Sequence, residues 1–269
     1  MKEARPSFRG MKSVTDQYRD VNVVVTTGYE ADLSKVSVPH YTAEEHETWA
    51  MMFARQMKEL PGKATPEFLT GLEKLKLPSN RIPSLQEVSD SLEKLTGWRI
   101  ARTEGLVPER EFFECLSQKL FPCTDFIRKR QELEYTPSPD MFHDLFGHIP
   151  LITHQEFADF YEEYGKAALH AKGEMLTKLQ RIYWFSVEFG LIQKTEGTRI
   201  YGSGILSSVG EVPYCLSEKV NRRLFDFESV GNQYFEIFHM QDDIFVIPSF
   251  EWLLKNFRDY AAKNNLLAA

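Results

Sequence analysis

A mainly α chain with small β elements is what this sequence predicts, and three observations carry the prediction. Capping pairs, a Ser or Thr followed three residues on by Glu, stand directly before runs with helical apolar spacing. The β-branched and aromatic runs that suit strands are few and short. No internal repeat or low-complexity segment breaks the pattern.

Taken in order, Val21 to Val25 is a small strand candidate behind a charged start. Thr42 with Glu45 opens a helix to about Leu60, Pro66 to Lys76 is a second, and Ser84 with Glu87 opens a third that ends at Gly97. Further helices are expected over Pro108 to Lys119, Gln155 to His170, Glu174 to Ile192 and Ser249 to Lys263. The strands are expected at Trp98 to Arg102, Arg199 to Tyr201, and in two short runs near Phe235 and Phe245.

The 269 residues are 42% hydrophobic, enough for one large core that buries roughly three quarters of the unfolded surface. We expect residues 1–20 to be loosely ordered and residues 21–269 to form a single domain. A net charge of -7 leaves no basic footprint for nucleic acid. No apolar run approaches the roughly 20 residues that span a bilayer, and Met1 to Pro6 lacks the apolar core of a signal peptide. Cys115, Cys123 and Cys215 are widely spaced and in no metal pattern, which fits free thiols in a reducing compartment; a cytoplasmic protein is expected.

The chemistry concentrates in Pro139-Asp140-Met141-Phe142-His143-Asp144-Leu145-Phe146-Gly147-His148-Ile149-Pro150. Two histidines five apart on an α-helix point roughly 140° from each other, so the short helix, N-capped by Asp140, is expected to end near Gly147 and let His148 swing back. Pro150 cannot extend it. Glu188 lies further on, among large apolar neighbours from Ile182 to Leu191, where a charge needs a partner. Two imidazoles and a carboxylate occupy one face of a divalent ion and leave the other open, a catalytic arrangement. Zinc accepts the same donors, so the residues alone do not name the metal.

Pro139-Asp140-x-x-His143-Asp144-x-x-Gly147-His148-x-Pro150-Leu151 resembles the iron-binding signature of the pterin-dependent aromatic amino acid hydroxylases. Tyr183-Trp184-Phe185-x-Val187-Glu188-Phe189-Gly190-Leu191 and Tyr201-Gly202-x-Gly204-Ile205-Leu206-Ser207-Ser208-x-Gly210-Glu211 resemble two further motifs of that family, in the same order. The likeness runs from about Tyr41 to Phe250 and is greatest to bacterial phenylalanine hydroxylases. It implies the catalytic-domain fold of that family, a monooxygenase activity, Fe(II) on His143, His148 and Glu188, a tetrahydropterin that supplies two electrons, and O2 as co-substrate.

The resemblance also assigns roles. Arg128, otherwise one cation in a basic cluster, would grip the substrate carboxylate with its planar guanidinium. Asp140 would pair with Arg128 as well as cap its helix. Thr136 and Ser208 would line the substrate pocket, with Pro139 and Trp184 as apolar walls for the ring. Ser207 would hydrogen-bond His143, and Glu211 would support the pocket from outside. Gly105, Leu106, Val107 and Phe112 match the pterin pocket, Phe112 as its stacking surface, and Asp144 would reach the pterin through water.

Trp184 is more like phenylalanine and tyrosine hydroxylases than tryptophan hydroxylases, and Ile237 stands where tyrosine-preferring members carry an acidic residue. L-Phenylalanine is therefore the expected substrate, although Tyr234 to Asp243 departs from the family pattern. Neither an additional amino-terminal domain nor a long assembly helix is evident, and a monomer or weak homodimer is expected. The other readings are a tryptophan or tyrosine hydroxylase, a zinc hydrolase on the same three residues, and a non-catalytic amino-acid-binding protein. They differ in whether turnover needs O2 and a reductant, and in whether there is turnover at all.

Overall fold

Reciprocal capping sets the first helix: Glu45 N–H donates to Thr42 Oγ1 at 3.3 Å while Thr42 N–H donates to Glu45 Oε2 at 2.7 Å. The computed structural model describes residues 26, 28–37, 39–134 and 138–267; the expected loose segment 1–20, the Val21 to Val25 strand and Thr136 lie outside these. The helices are α1 Ala43–Glu59, α2 Pro66–Leu75, α3 Leu85–Thr96, α4 Glu109–Ser117, α5 Ile149–Ile152, α6 Gln155–His170, α7 Glu174–Tyr183, α8 Ser203–Leu206, α9 Glu211–Cys215, α10 Phe227–Gly231 and α11 Phe250–Lys263. The strands are β1 Arg99–Thr103, β2 Leu120–Thr124, β3 Leu191–Lys194, β4 Gly197–Ile200, β5 Asn221–Leu224 and β6 Asp243–Ile247. β1 and β2 form a parallel pair, and the second sheet runs β4-β3-β6-β5, antiparallel only between β3 and β4.

Three local departures from the sequence reading matter for the site. The helix expected to end near Gly147 does not end. His143–His148 is instead a π-helical turn that runs on into α5, which takes Pro150 near its start. An i→i+5 bonded turn is wider than an α turn, and this brings residues five apart round to the same side. The expected Glu174 to Ile192 helix is α-helical only through Tyr183. A second π turn covers Trp184–Glu188, closed by Phe189 N–H to Trp184 O at 2.9 Å, and Leu191 then begins β3. No strand forms near Phe235, whose ring stacks on Trp184 at 4.8 Å instead.

β2 escaped the sequence reading because Pro122 sits in it; in a two-stranded sheet each strand is an edge, where proline is tolerated. β5 is a four-residue strand paired with β6, and the four-residue β3 pairs with the adjacent β4 along its length and with β6 at Leu191 and Ile192. The short α8 and α9 fall below the length at which periodicity is visible.

One apolar core runs through these elements. α6 packs against both α4 and α11, and α8 packs on both π turns. The fit at α8 is close: a Cβ at Gly147 would stand 2.9 Å from Ser203 O, and one at Gly202 would stand 2.5 Å from Glu188 O and from Gly190 N. Gly202 N–H also donates to Gly190 O at 2.9 Å, clamping the chain beyond Glu188 against the entry to α8. Gly202→Ala is expected to lower unfolding free energy by about 3 kcal/mol or more, read by urea denaturation; a loss below about 1 kcal/mol would mean that the backbone yields there.

Candidate active site

The two π turns aim three side chains at one point. His143 Nε2 and His148 Nε2 are 3.0 Å apart, Glu188 Oε1 is 3.2 Å from His148 Nε2, and Glu188 Oε2 is 3.6 Å from His143 Nε2. The hydrogen bonds behind the rings define their roles. Ser207 Oγ–H donates to Ser203 O at 2.8 Å, so its oxygen accepts from His143 Nδ1–H at 2.9 Å and the Nε2 lone pair is left facing the centre. His148 Nδ1 lies 2.8 Å from the hydroxyl of Tyr161. Ser203 Oγ lies 2.9 Å from Glu188 Oε2.

Electrostatics follows from burial and mutual charge. Burial lowers the His143 pKa to about 4 and keeps the ring neutral, the Glu188 charge opposing it only in part. Burial pushes the Glu188 carboxyl upward, but His148, His143 and the Ser203 hydroxyl outweigh it and hold the group at about 2, ionised. Two imidazole nitrogens and a carboxylate converging this closely make a donor set suited to a cation. The three are the only such metal-competent group among the described residues, and their chemistry fits a divalent ion of the iron or zinc type.

They open onto a cavity of about 310 Å³. Of the residues singled out in the sequence, Arg128, Pro139, Trp184, Ser207, Ser208, Gly105, Leu106, Val107, Phe112 and Asp144 line it. Arg128 is not a solvated cation: it is buried, and its Nε and Nη2 each donate at 2.8 Å to the two oxygens of the buried Asp140. Asp140 also receives His143 N–H at 3.1 Å, so it caps the turn and neutralises the guanidinium together. A guanidinium has five N–H donors, and those not committed to Asp140 remain for a ligand.

Trp184 packs between Phe235 and Phe189, each 4.7 to 4.8 Å away, and forms an aromatic wall that Ile237 extends. On the far side Phe112 meets Tyr183 edge-on at 5.3 Å. Asp144 Oδ2 accepts from Thr124 N–H and Oγ1–H, both at 2.9 Å, yet burial raises the acid to about 7. Glu211 also lines the cavity; its Oε2 is buried without a partner, and burial lifts it to about 7.

The sequence reading missed Ser203, Tyr161, Tyr183 and Thr124. Ser203 stood inside the quoted Gly202-x-Gly204 motif, and Tyr183 opened another; Tyr161 and Thr124 carry no local signal, since only packing brings Tyr161 to His148 and Thr124 to Asp144.

With this geometry in place the comparisons are decisive. The chain belongs to the biopterin-dependent aromatic amino acid hydroxylases, whose family model matches residues 6–266. It is similar to the phenylalanine-4-hydroxylase of Chromobacterium violaceum, 43% identical over 240 residues, which are 87% of this chain and 81% of that protein. The phenylalanine-4-hydroxylase of Pseudomonas aeruginosa is 42% identical over 80% of this chain and 82% of its own. The crystal structure of the Chromobacterium violaceum enzyme with bound iron(III) and oxidised 7,8-dihydrobiopterin superimposes with a TM-score of 0.82 at 42% identity, covering 88% of each chain.

Two predictions follow from the charges. Arg128→Met strands the Asp140 carboxylate and should cost about 3–5 kcal/mol of stability in chemical denaturation. For Glu211 the folded pKa of about 7 exceeds the unfolded 4.5, so the folded protein holds the extra proton and stability falls as pH rises from about 4.5 to 7. Glu211→Gln should therefore melt with wild type near pH 4.5 and several degrees higher at pH 8; equal melting at pH 8 would show that the ionised carboxylate is well solvated.

Proposed function

We propose that this chain hydroxylates L-phenylalanine to L-tyrosine with O2, holding Fe(II) on His143, His148 and Glu188 and a tetrahydropterin in the same cavity. The observation that carries this reading is the convergence of two imidazole Nε2 atoms and one ionised carboxylate, within 3.6 Å of one another, at the floor of an aromatic cavity that also contains an arginine. Bound iron and pterin supply the redox chemistry that activates oxygen.

The protein's part is placement. The uncommitted donors of Arg128 take the amino acid carboxylate, and the Asp140 pair keeps the guanidinium plane fixed. Pro139, Trp184, Phe189 and Ile237 give the ring an apolar slot leading to the three ligands, which suits an unsubstituted phenyl group. Phe112, with Gly105 to Val107, offers a flat face and backbone groups to the pterin, with Asp144 across the cavity. Ser207 and Ser203 hold His143 and Glu188 in their ligating orientations.

We read residues 21–269 as one catalytic domain acting in the cytoplasm as a monomer or weak homodimer, without nucleic acid. The net charge of -7 supports the last point, and no described helix is long and apolar enough to cross a membrane.

The test is tyrosine formation from phenylalanine by purified protein given Fe(II), a tetrahydropterin and O2, beside zinc-loaded and Glu188→Ala controls. Tyrosine is expected only with iron and pterin, and none from Glu188→Ala. Folded, iron-loaded protein that makes no tyrosine but oxidises tryptophan or tyrosine would move the assignment within the family; activity with zinc and no O2 would overturn it.

A further inference from the structure

We infer that Tyr161, acting with Tyr183, is a positioning residue that selects the metal-binding tautomer of His148; this rests on the metal reading above. Tyr161 is on α6, remote in sequence from the three ligands, and its side chain is buried among Phe157, Trp98 and Phe121, with ring centroids at 5.0, 5.8 and 6.5 Å. Packing on these sides fixes where the hydroxyl stands. Its oxygen lies between two partners, His148 Nδ1 at 2.8 Å and the Tyr183 hydroxyl at 3.3 Å.

A phenol has one proton to donate, so this three-group chain has two polarities. If Tyr161 donates to His148 Nδ1, the ring's own proton must sit on Nε2, which then points an N–H at Glu188 Oε1 and cannot ligate. If Tyr161 donates to Tyr183, its oxygen accepts from His148 Nδ1–H and the Nε2 lone pair faces the metal position. Tyr183 is what makes the second polarity available, because it gives the proton of the buried Tyr161 hydroxyl a protein acceptor. That polarity also leaves the Tyr183 O–H free to donate elsewhere, and Tyr183 lines the cavity beside Phe112. Ser207 plays the corresponding part for His143 through its bond to Ser203 O, so each imidazole is held by a hydroxyl that is itself given somewhere to donate.

Calorimetric titration of the metal-free full chain with Co(II) tests this, on wild type, Tyr161→Phe, Tyr183→Phe and the double variant, with metal-free melting curves alongside. Tyr161→Phe should raise the Co(II) Kd about 10- to 100-fold with little change in metal-free melting, since only a hydroxyl is removed. Tyr183→Phe, which touches none of the three ligands' metal-facing atoms, should raise it about threefold or more, the worth of one hydrogen bond. The double variant should be no weaker than Tyr161→Phe, because both act through one chain. Tyr161→Phe binding within threefold of wild type, or a Tyr183 effect that adds in full to that of Tyr161, would overturn the inference while the metal reading stands. If Tyr161→Phe does not fold, Tyr183→Phe decides alone, and a Kd matching wild type overturns it. Wild type that takes up no Co(II) overturns both readings.

Discussion

Everything in this structure is arranged around an ionised carboxylate, that of Glu188, held in a largely buried place against the imidazoles of His143 and His148. Burial alone would protonate it; His148, His143 and the Ser203 hydroxyl keep it charged. A carboxylate and two imidazole nitrogens gathered in low dielectric form a site whose own chemistry suits a cation. The surrounding fold keeps that cluster assembled before any ligand arrives.

Two π turns and one short helix do the assembling. Each π turn presents its ligands on the inner side, and α8 sits between them because Gly147 and Gly202 let backbone approach backbone. The same helix carries Ser203 and is capped by Ser207, which reach Glu188 and His143 respectively. Close packing, charge placement and ligand orientation are thus properties of one contact, and a side chain added at either glycine would disturb all three. The cavity that His143, His148 and Glu188 open onto is lined by Arg128, itself paired with Asp140, and by Trp184, Phe112 and Asp144.

Much of this was legible in the sequence. The long amphipathic helices and their caps were, because capping boxes and apolar spacing are local; Thr42 and Glu45 meet as their spacing implies. The convergence of His143, His148 and Glu188 was legible from residue type and spacing, and the family likeness suggested the pairing of Arg128 with Asp140 and of Ser207 with His143, both of which form hydrogen bonds in the structure. The short strand β5 was not, because it exists through pairing with β6; β3 was not, because its first residues continue the apolar run read as helix to Ile192. The π turns were not, because an inserted residue in a helix leaves no mark in composition.

By itself, then, the sequence determined which chemistry the chain carries: two imidazoles, a carboxylate, a guanidinium and an aromatic wall, in an order that leaves few alternatives. The tertiary structure decided how the donors meet. His143 and His148 share a side because the turn widens, where the sequence reading had the helix stop. The Arg128 guanidinium is committed in part to Asp140, Glu211 lines the cavity with a partnerless buried oxygen, and Tyr161 stands behind His148. The physical reason is common to all four. Residue type is a local property, whereas hydrogen-bond direction, burial and the charge state they impose depend on neighbours that only packing supplies.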